Sequence, residues 1–295
     1  MIIVKLLGGL GNQMFQFAAG YALATHHDLP LKVDLTALKN YPRHSGFQLD
    51  KIFAGHFEQA KKIDLFKSLG LLSSKISKQG IEVSTEATLK SGSRVLQQPT
   101  LNFWPEFFDY RKKNMYVSGY WQSSKYFEGV ENELRRIFEF KNLLEDNNLK
   151  LAEEMRSRQS VSIHMRRGDY VTNPRANAFH GVCSKAYYDT SIEYIRQQYP
   201  NANFYVFSDD PEFAGATFHG QDDFKIIKNN SGESSYRDMQ LMGFCKHHII
   251  ANSTFSWWGA WLCRHRSKTV IAPKKWFVGN EYEIVDIYED NWIRL

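Results

Sequence analysis

Apolar and polar positions change period along this chain in a regular order. Near the start, the apolar run "IIVKLL" gives way to a helical pattern from about Gln13 to His26, followed by "LPLKVDL". The second half repeats the alternation. The strand-like "SVSIHM" precedes a helix through "KAYYDTSIEYIRQQY", and "NFYVFSDD" precedes one through "SYRDMQLMGFCKH". "HIIAN" then leads into a helix through "TFSWWGAWLCRH", and "TVIAPKKWF" closes as a strand and turn. Short apolar runs that alternate with period-3.6 segments imply parallel strands joined by crossover helices. The expectation is an α/β chain of two Rossmann-like units. Residues 40–116 break the rhythm, mixing short amphipathic helices such as "IDLFKSLGLLSSKI" with aromatic loops such as "NFWPEFFDY". The polar helical stretch "EDNNLKLAEEMRSRQ" reads as a bridge, which puts the boundary near Arg158: residues 1–158 and 159–295.

Composition agrees with a folded chain. The 295 residues are 43% hydrophobic and 15% aromatic, enough for two cores, and the net charge of +5 suits an anionic substrate without arguing for nucleic acid. Cys183, Cys245 and Cys263 fall at spacings that give neither a zinc site nor a disulfide framework. The opening "MIIVKLLGGLG" is too short and glycine-rich for a signal peptide or membrane span. The expected location is the cytoplasm, with peripheral contact at an inner membrane face.

Three stretches carry candidate chemistry. In "SVSIHMRRGDYV", Val161, Ile163 and Met165 alternate with Ser162, His164 and Arg166, so His164 and Arg166 share a face and Arg167 takes the other. Two arginines at the carboxyl end of a strand stand where open α/β sheets bind ligands. Their planar forks match the oxygens of a diphosphate. The alternative is an internal salt-bridge cluster that includes Asp169. In "LLGGLGNQMFQFAAGYA", a strand runs through Gly9 and Gly11 into a helix, with Asn12 at the turn; backbone N–H groups there could face an anion. Met14 stands where a dinucleotide fingerprint needs a small residue, although Asp34 lies at the spacing of a ribose ligand. In "IIANSTFSWWGAWLC", Ser253 or Thr254 reads as an N-cap, Ser256 adds a hydroxyl, and Trp257, Trp258 and Trp261 read as core. Asp209 and Asp210 lack the separated arrangement of metal-dependent glycosyltransferases. A carboxylate there suits a ribose or a base, or else a solvated turn.

Together, "GGLGNQMFQ", "HMRRGDY" and "NSTFSWWGAWL" resemble the bacterial α-1,2-fucosyltransferases of glycosyltransferase family 11, in the family's order from Gly8 to Leu262. The resemblance implies a GT-B-like fold, two Rossmann-like domains facing a cleft, with GDP-fucose held mainly by the second. It implies inverting, metal-free transfer of L-fucose to the 2-hydroxyl of a galactose-terminated glycan, with no cofactor beyond the donor. On this reading Arg166 holds the diphosphate with Arg167 beside it, and His164 and Asp209 lie near the nucleoside. Ser253, Thr254 and Ser256 form the phosphate-binding helix start, and Gly11 and Asn12 face the donor from the other half. Asp169 is the first candidate for the base, with His180, Asp238 and Glu233 as alternatives. His180 and Trp104 are candidate acceptor contacts. Other fucosyl linkages (α-1,6 or protein O-linked), a dinucleotide-dependent oxidoreductase and a non-catalytic nucleotide-sugar or glycan-binding module are the competing readings.

Overall fold

The computed structural model describes residues 1–39, 46–72, 94–279 and 284–295, without the side chain of Asp169. Two compact units emerge: Met1–Lys141 with Val285–Ile287, and Asn142–Ile284 with Tyr288–Leu295. Both are built on parallel sheets, as the alternating pattern implied, and the chain has the α/β, GT-B-like class.

In the first unit, β1 (Ile2–Lys5) lies between β2 (Leu31–Asp34) and β4 (Met115–Ser118), with β3 (Val95–Gln97) outside β4. Ile2, Ile3 and Val4 have no exposed surface, as befits a strand covered on both faces. The helix Leu10–His27 packs on β1 through Gly20, where a Cβ would sit 3.0 Å from the Val4 side chain. "IDLFKSLGLLSSKI" supplies the helix Lys62–Leu69, and its last residues, from Ser73 on, lie outside the described residues.

Asp34 does not reach toward a ribose. It is buried, accepts from the Tyr116 hydroxyl at 2.6 Å and from the amide and hydroxyl of Thr36 at 2.9 and 2.6 Å, and lies in the field of buried Lys5. Those bonds consume the carboxylate that the dinucleotide reading required.

The second sheet runs β10–β9–β8–β5–β6–β7, all parallel. β5 (Gln159–Met165) starts it, and β6 (Ala202–Ser208) and β7 (Phe224–Ile227) add on one side. The chain then returns to place β8 (His247–Ile249), β9 (Val270–Ala272) and β10 (Ile293–Arg294) on the other. The order reverses between β5 and β8, and ligands bind outside the carboxyl ends of such a switch point. The division falls earlier than Arg158 because the helix Asp146–Ser157 is no free bridge. Its Leu151, Ala152 and Met155 pack against Tyr205, Phe207 and Leu241 of the second unit. Trp257, Trp258 and Trp261 are core, and the three cysteines are free thiols.

Candidate active site

The switch point of the second sheet collects the expected residues of that unit. β5 ends at Met165, and Arg166 and Arg167 follow directly. At the end of β6, pairing in register with β5, stand Ser208, Asp209 and Asp210. Ser208 donates to the Met165 carbonyl at 2.8 Å and locks the two strand ends together. Arg166 Nη1 lies 2.7 Å from Asp209 Oδ2, and the Arg167 backbone N–H donates to Asp209 Oδ1 at 2.8 Å. Arg167 Nε donates to Asp210 Oδ2 at 3.1 Å, and its guanidinium lies over the Phe213 ring, 3.4 Å from the centroid. Asp210 Oδ1 also caps the helix Pro211–Thr217 by accepting from Phe213 N.

Each arginine therefore has an aspartate, Asp209 or Asp210, whereas the Asp169 side chain of the salt-bridge alternative lies outside the described residues. Every member of the two pairs keeps at least 24% of its side-chain surface exposed. Such exposed pairs contribute about 0–1 kcal/mol of stability, so they orient the guanidinium groups more than they hold the fold. Asp209, expected near the nucleoside, aims Arg166.

Gly168 makes this possible. A Cβ at that position would stand 2.4 Å from Asp209 Oδ2. Gly168→Ala must push that carboxylate away from Arg166. Displacements near 1 Å in an active site cost about 10²-fold in rate, so the variant is expected to lose activity on that scale while its thermal midpoint stays near wild type. Wild-type activity in a folded Gly168→Ala variant would contradict the alignment role.

Across the switch point, Ser253 caps the helix Thr254–Leu262, its hydroxyl accepting from Phe255 N at 3.4 Å. The first N–H groups of this helix have no carbonyl one turn earlier to bond. Thr254 opens the helix, whereas the buried Ser256 hydroxyl donates to the Ser253 carbonyl at 3.2 Å. His164 lies inside, its ring 5.7 Å from Phe255. Burial, and then the Arg166 charge, push its imidazole down to about 3, so it is neutral near pH 7, and Nδ1 is buried with no hydrogen-bond partner. A cavity of about 530 Å³ opens beside the arginines, walled by Met165, Cys183, Lys185, Tyr188, Phe213 and Thr217. The sequence did not single out Tyr188 or Phe213, because their place depends on which helix packs over β5.

Asp169 lies in the short helix Gly168–Thr172, and its side chain is outside the described residues. His180 stacks on Tyr170 with centroids 4.4 Å apart, and its carbonyl accepts from Asn252 at 2.8 Å. Glu233 is exposed in a single 3-10 turn, Gly232–Ser234. Asp238 is largely buried, accepts from Asn230 at 2.7 Å and is pushed by burial up to about 7. The remaining candidates belong to the first unit. Gly11 and Asn12 occupy the first turn of Leu10–His27. The Trp104 backbone N–H donates to the Tyr126 hydroxyl at 2.9 Å.

Two parallel-sheet units, with two arginines and a helix start at one switch point, make an α/β fold with a site suited to an anionic ligand. The family model for Glycosyl transferase family 11 matches residues 1–295. The chain belongs to that family. An Escherichia coli relative named alpha-1,2-colitosyltransferase is 36% identical, the match covering all of this chain and 99% of that one. The O-antigen biosynthesis glycosyltransferase WbnK of Escherichia coli is 32% identical over 98% and 99%. The pig galactoside alpha-(1,2)-fucosyltransferase 2 is 25% identical over 89% and 69%. Among solved structures, fucosyltransferase NodZ from Bradyrhizobium matches with a TM-score of 0.50 at 13% identity, over 88% of this chain and 90% of that one. This last likeness concerns the fold alone.

Proposed function

We propose that the chain transfers L-fucose from GDP-fucose, with inversion and without a metal ion, to the 2-hydroxyl of a terminal galactoside. The observation that carries the reading is Arg166, held by Asp209 at the end of β5, across the switch point from the start of the helix Thr254–Leu262. As the fucosyl bond breaks, negative charge grows on the leaving β-phosphate. A guanidinium fork and a helix N-terminus are preorganised groups of the sign needed to take it up. Neutral His164 beside them adds no charge and can hydrogen-bond a nucleoside. The acceptor hydroxyl attacks from the opposite face of the sugar and passes its proton to a base, for which Asp169 is the first candidate. The α-1,2 linkage stands in the names of two of the relatives above.

The colitosyltransferase supports a second reading. Colitose is L-fucose without its 3-hydroxyl, so the choice depends on whether the site bonds that hydroxyl. Sites built to bond a substrate hydroxyl reject the deoxy analogue by about 10⁴–10⁵. The test is kcat/KM for GDP-fucose against GDP-colitose with one galactoside acceptor. A preference for GDP-fucose of about 10²-fold or more is expected; a preference for GDP-colitose would assign the chain to the other sugar.

A further inference from the structure

One stretch of the first unit turns large apolar side chains outward among lysines. Residues 61–72 read "KKIDLFKSLGLL" and form the helix Lys62–Leu69 and the 3-10 turn Gly70–Leu72. The inward face is ordinary: Leu65 and Leu69 join Ile3 and Tyr116 in one core cluster. Asp64, the one acid of the stretch, is buried and accepts from Lys32 Nζ at 3.0 Å and from Lys61 N at 2.9 Å. On the outward face, Ile63 is 55% exposed, Phe66 51% and Leu71 93%. Elsewhere among the described residues, large hydrophobic side chains this exposed stand singly or in pairs. Single ones need no explanation, whereas a cluster marks a contact surface.

Helix geometry arranges the charges around that cluster. At 3.6 residues per turn, Ile63 and Phe66 share one ridge, and Lys62 and Lys67 fall about 70° to either side of it. Both lysines are exposed, as is Lys61 before the helix, and none of the three is in a salt bridge among the described residues. Arg94 adds positive charge at the end of the helix, its Nη1 donating to the Lys67 carbonyl. It directly precedes β3, and the exposed Lys112 and Lys113 precede β4, the parallel neighbour of β3.

We propose that this face docks the chain on an acidic lipid bilayer. Phe66 and Ile63 enter the boundary between headgroups and acyl chains, while the flanking lysines lay their stems along it and carry their ammonium groups to lipid phosphates. The helix lies on the surface, since its eight residues are too few to span a bilayer. A second copy is the poorer occupant. Across a two-fold axis the ridge would meet itself and set the lysines of one chain against those of the other. An anionic surface attracts the same lysines. The inference holds whichever sugar the chain transfers.

The test is co-sedimentation of the full chain with vesicles of phosphatidylcholine, alone or mixed with phosphatidylglycerol, together with thermal midpoints and the mass in solution. The acidic vesicles should bind the chain at low salt, and the neutral ones at least tenfold more weakly. Lys62→Gln with Lys67→Gln should weaken binding about 25-fold, or about fivefold for each cation removed. Ile63→Ser with Phe66→Ser should weaken it about tenfold or more. Both double variants should melt near wild type, because the altered side chains are exposed. Failure to bind the acidic vesicles, equal binding to the neutral ones, or binding that either double variant leaves intact would each overturn the proposal. A dimer that the serine substitutions dissociate would assign the face to a second copy instead.

Discussion

Arg166→Ala is expected to lower fucosyl transfer from GDP-fucose about 10³-fold, with little change in thermal midpoint. Removing one preorganised donor from a developing oxyanion costs about 10²–10³ in rate. The upper end applies because Arg166 carries a full charge and because Asp209, left behind, repels the same phosphate. The loss corresponds to about 4 kcal/mol of transition-state stabilisation. Stability should change by less than about 1 kcal/mol, because the Arg166–Asp209 pair is partly exposed, at 28% and 26% of the side-chain surface. Arg166→Lys keeps the charge and loses the planar fork, so it should fall between the two. The check is steady-state kinetics beside a melting curve for each variant. An Arg166→Ala variant within about tenfold of wild type would remove the diphosphate role on the scale set by a lost oxyanion donor.

Acid should unfold the protein unusually early. Three buried histidines in the second unit are neutral in the folded state. Burial, and then Arg166, bring His164 down to about 3; burial, then His265 and Lys246, bring His247 down to about 4. His248 is held well below its ordinary 6.5, chiefly by burial. Their contacts agree. Thr269 N donates to His247 Nδ1 at 3.0 Å, and Ser162 Oγ lies 2.8 Å from His248 Nδ1. The unfolded chain protonates all three below about 6.5 while the folded chain does not, so unfolding takes up protons and stability falls as pH falls. Asp238 works in the opposite sense. Its folded carboxyl stays protonated up to about 7 while the unfolded one ionises above 3.8, so its stabilising contribution is present at low pH and lost toward 7. Three protons against one leave a net uptake of about two near pH 5, or about 2.7 kcal/mol per pH unit. The slope is smaller near pH 6.5, where the unfolded histidines are only half protonated, so the loss between pH 6.5 and 5 is about 3 kcal/mol, against the 5–15 kcal/mol typical of a domain. Urea titrations at pH 7, 6 and 5 measure it. Unchanged or rising stability on acidification would contradict the buried-neutral assignment.

What could be read from the sequence followed the length of each signal. "SVSIHM" and "NFYVFS" are long enough for period and β-branched content to identify β5 and β6, and the arginines then fall at a strand end by counting. "VLQ" and "MYVS" are strands of three and four residues among aromatic loops, too short for any period. β4 nevertheless lies at the centre of the first sheet, paired to both β1 and β3. The pairing of Arg166 with Asp209 depends on β5 and β6 being neighbours in register, so the sequence supplied both residues without their partnership. The bond that Gln122 Nε2 donates to Asn12 Oδ1 joins residues 110 positions apart, beside a left-handed Trp121, a conformation that residue type argues against. The bridging role expected of "EDNNLKLAEEMRSRQ" failed for a similar reason. Leu151 and Met155 share one face of an otherwise polar helix, and only the fold discloses the apolar surface that receives them.

The most direct test of the central claim is GDP release from GDP-fucose in excess EDTA, with and without lactose, followed by the linkage of the product. The account expects lactose-dependent release that survives EDTA and an L-fucose joined to the galactose 2-hydroxyl. Release that stops in EDTA and returns with Mg²⁺ or Mn²⁺, or a fucose at another hydroxyl, would contradict it.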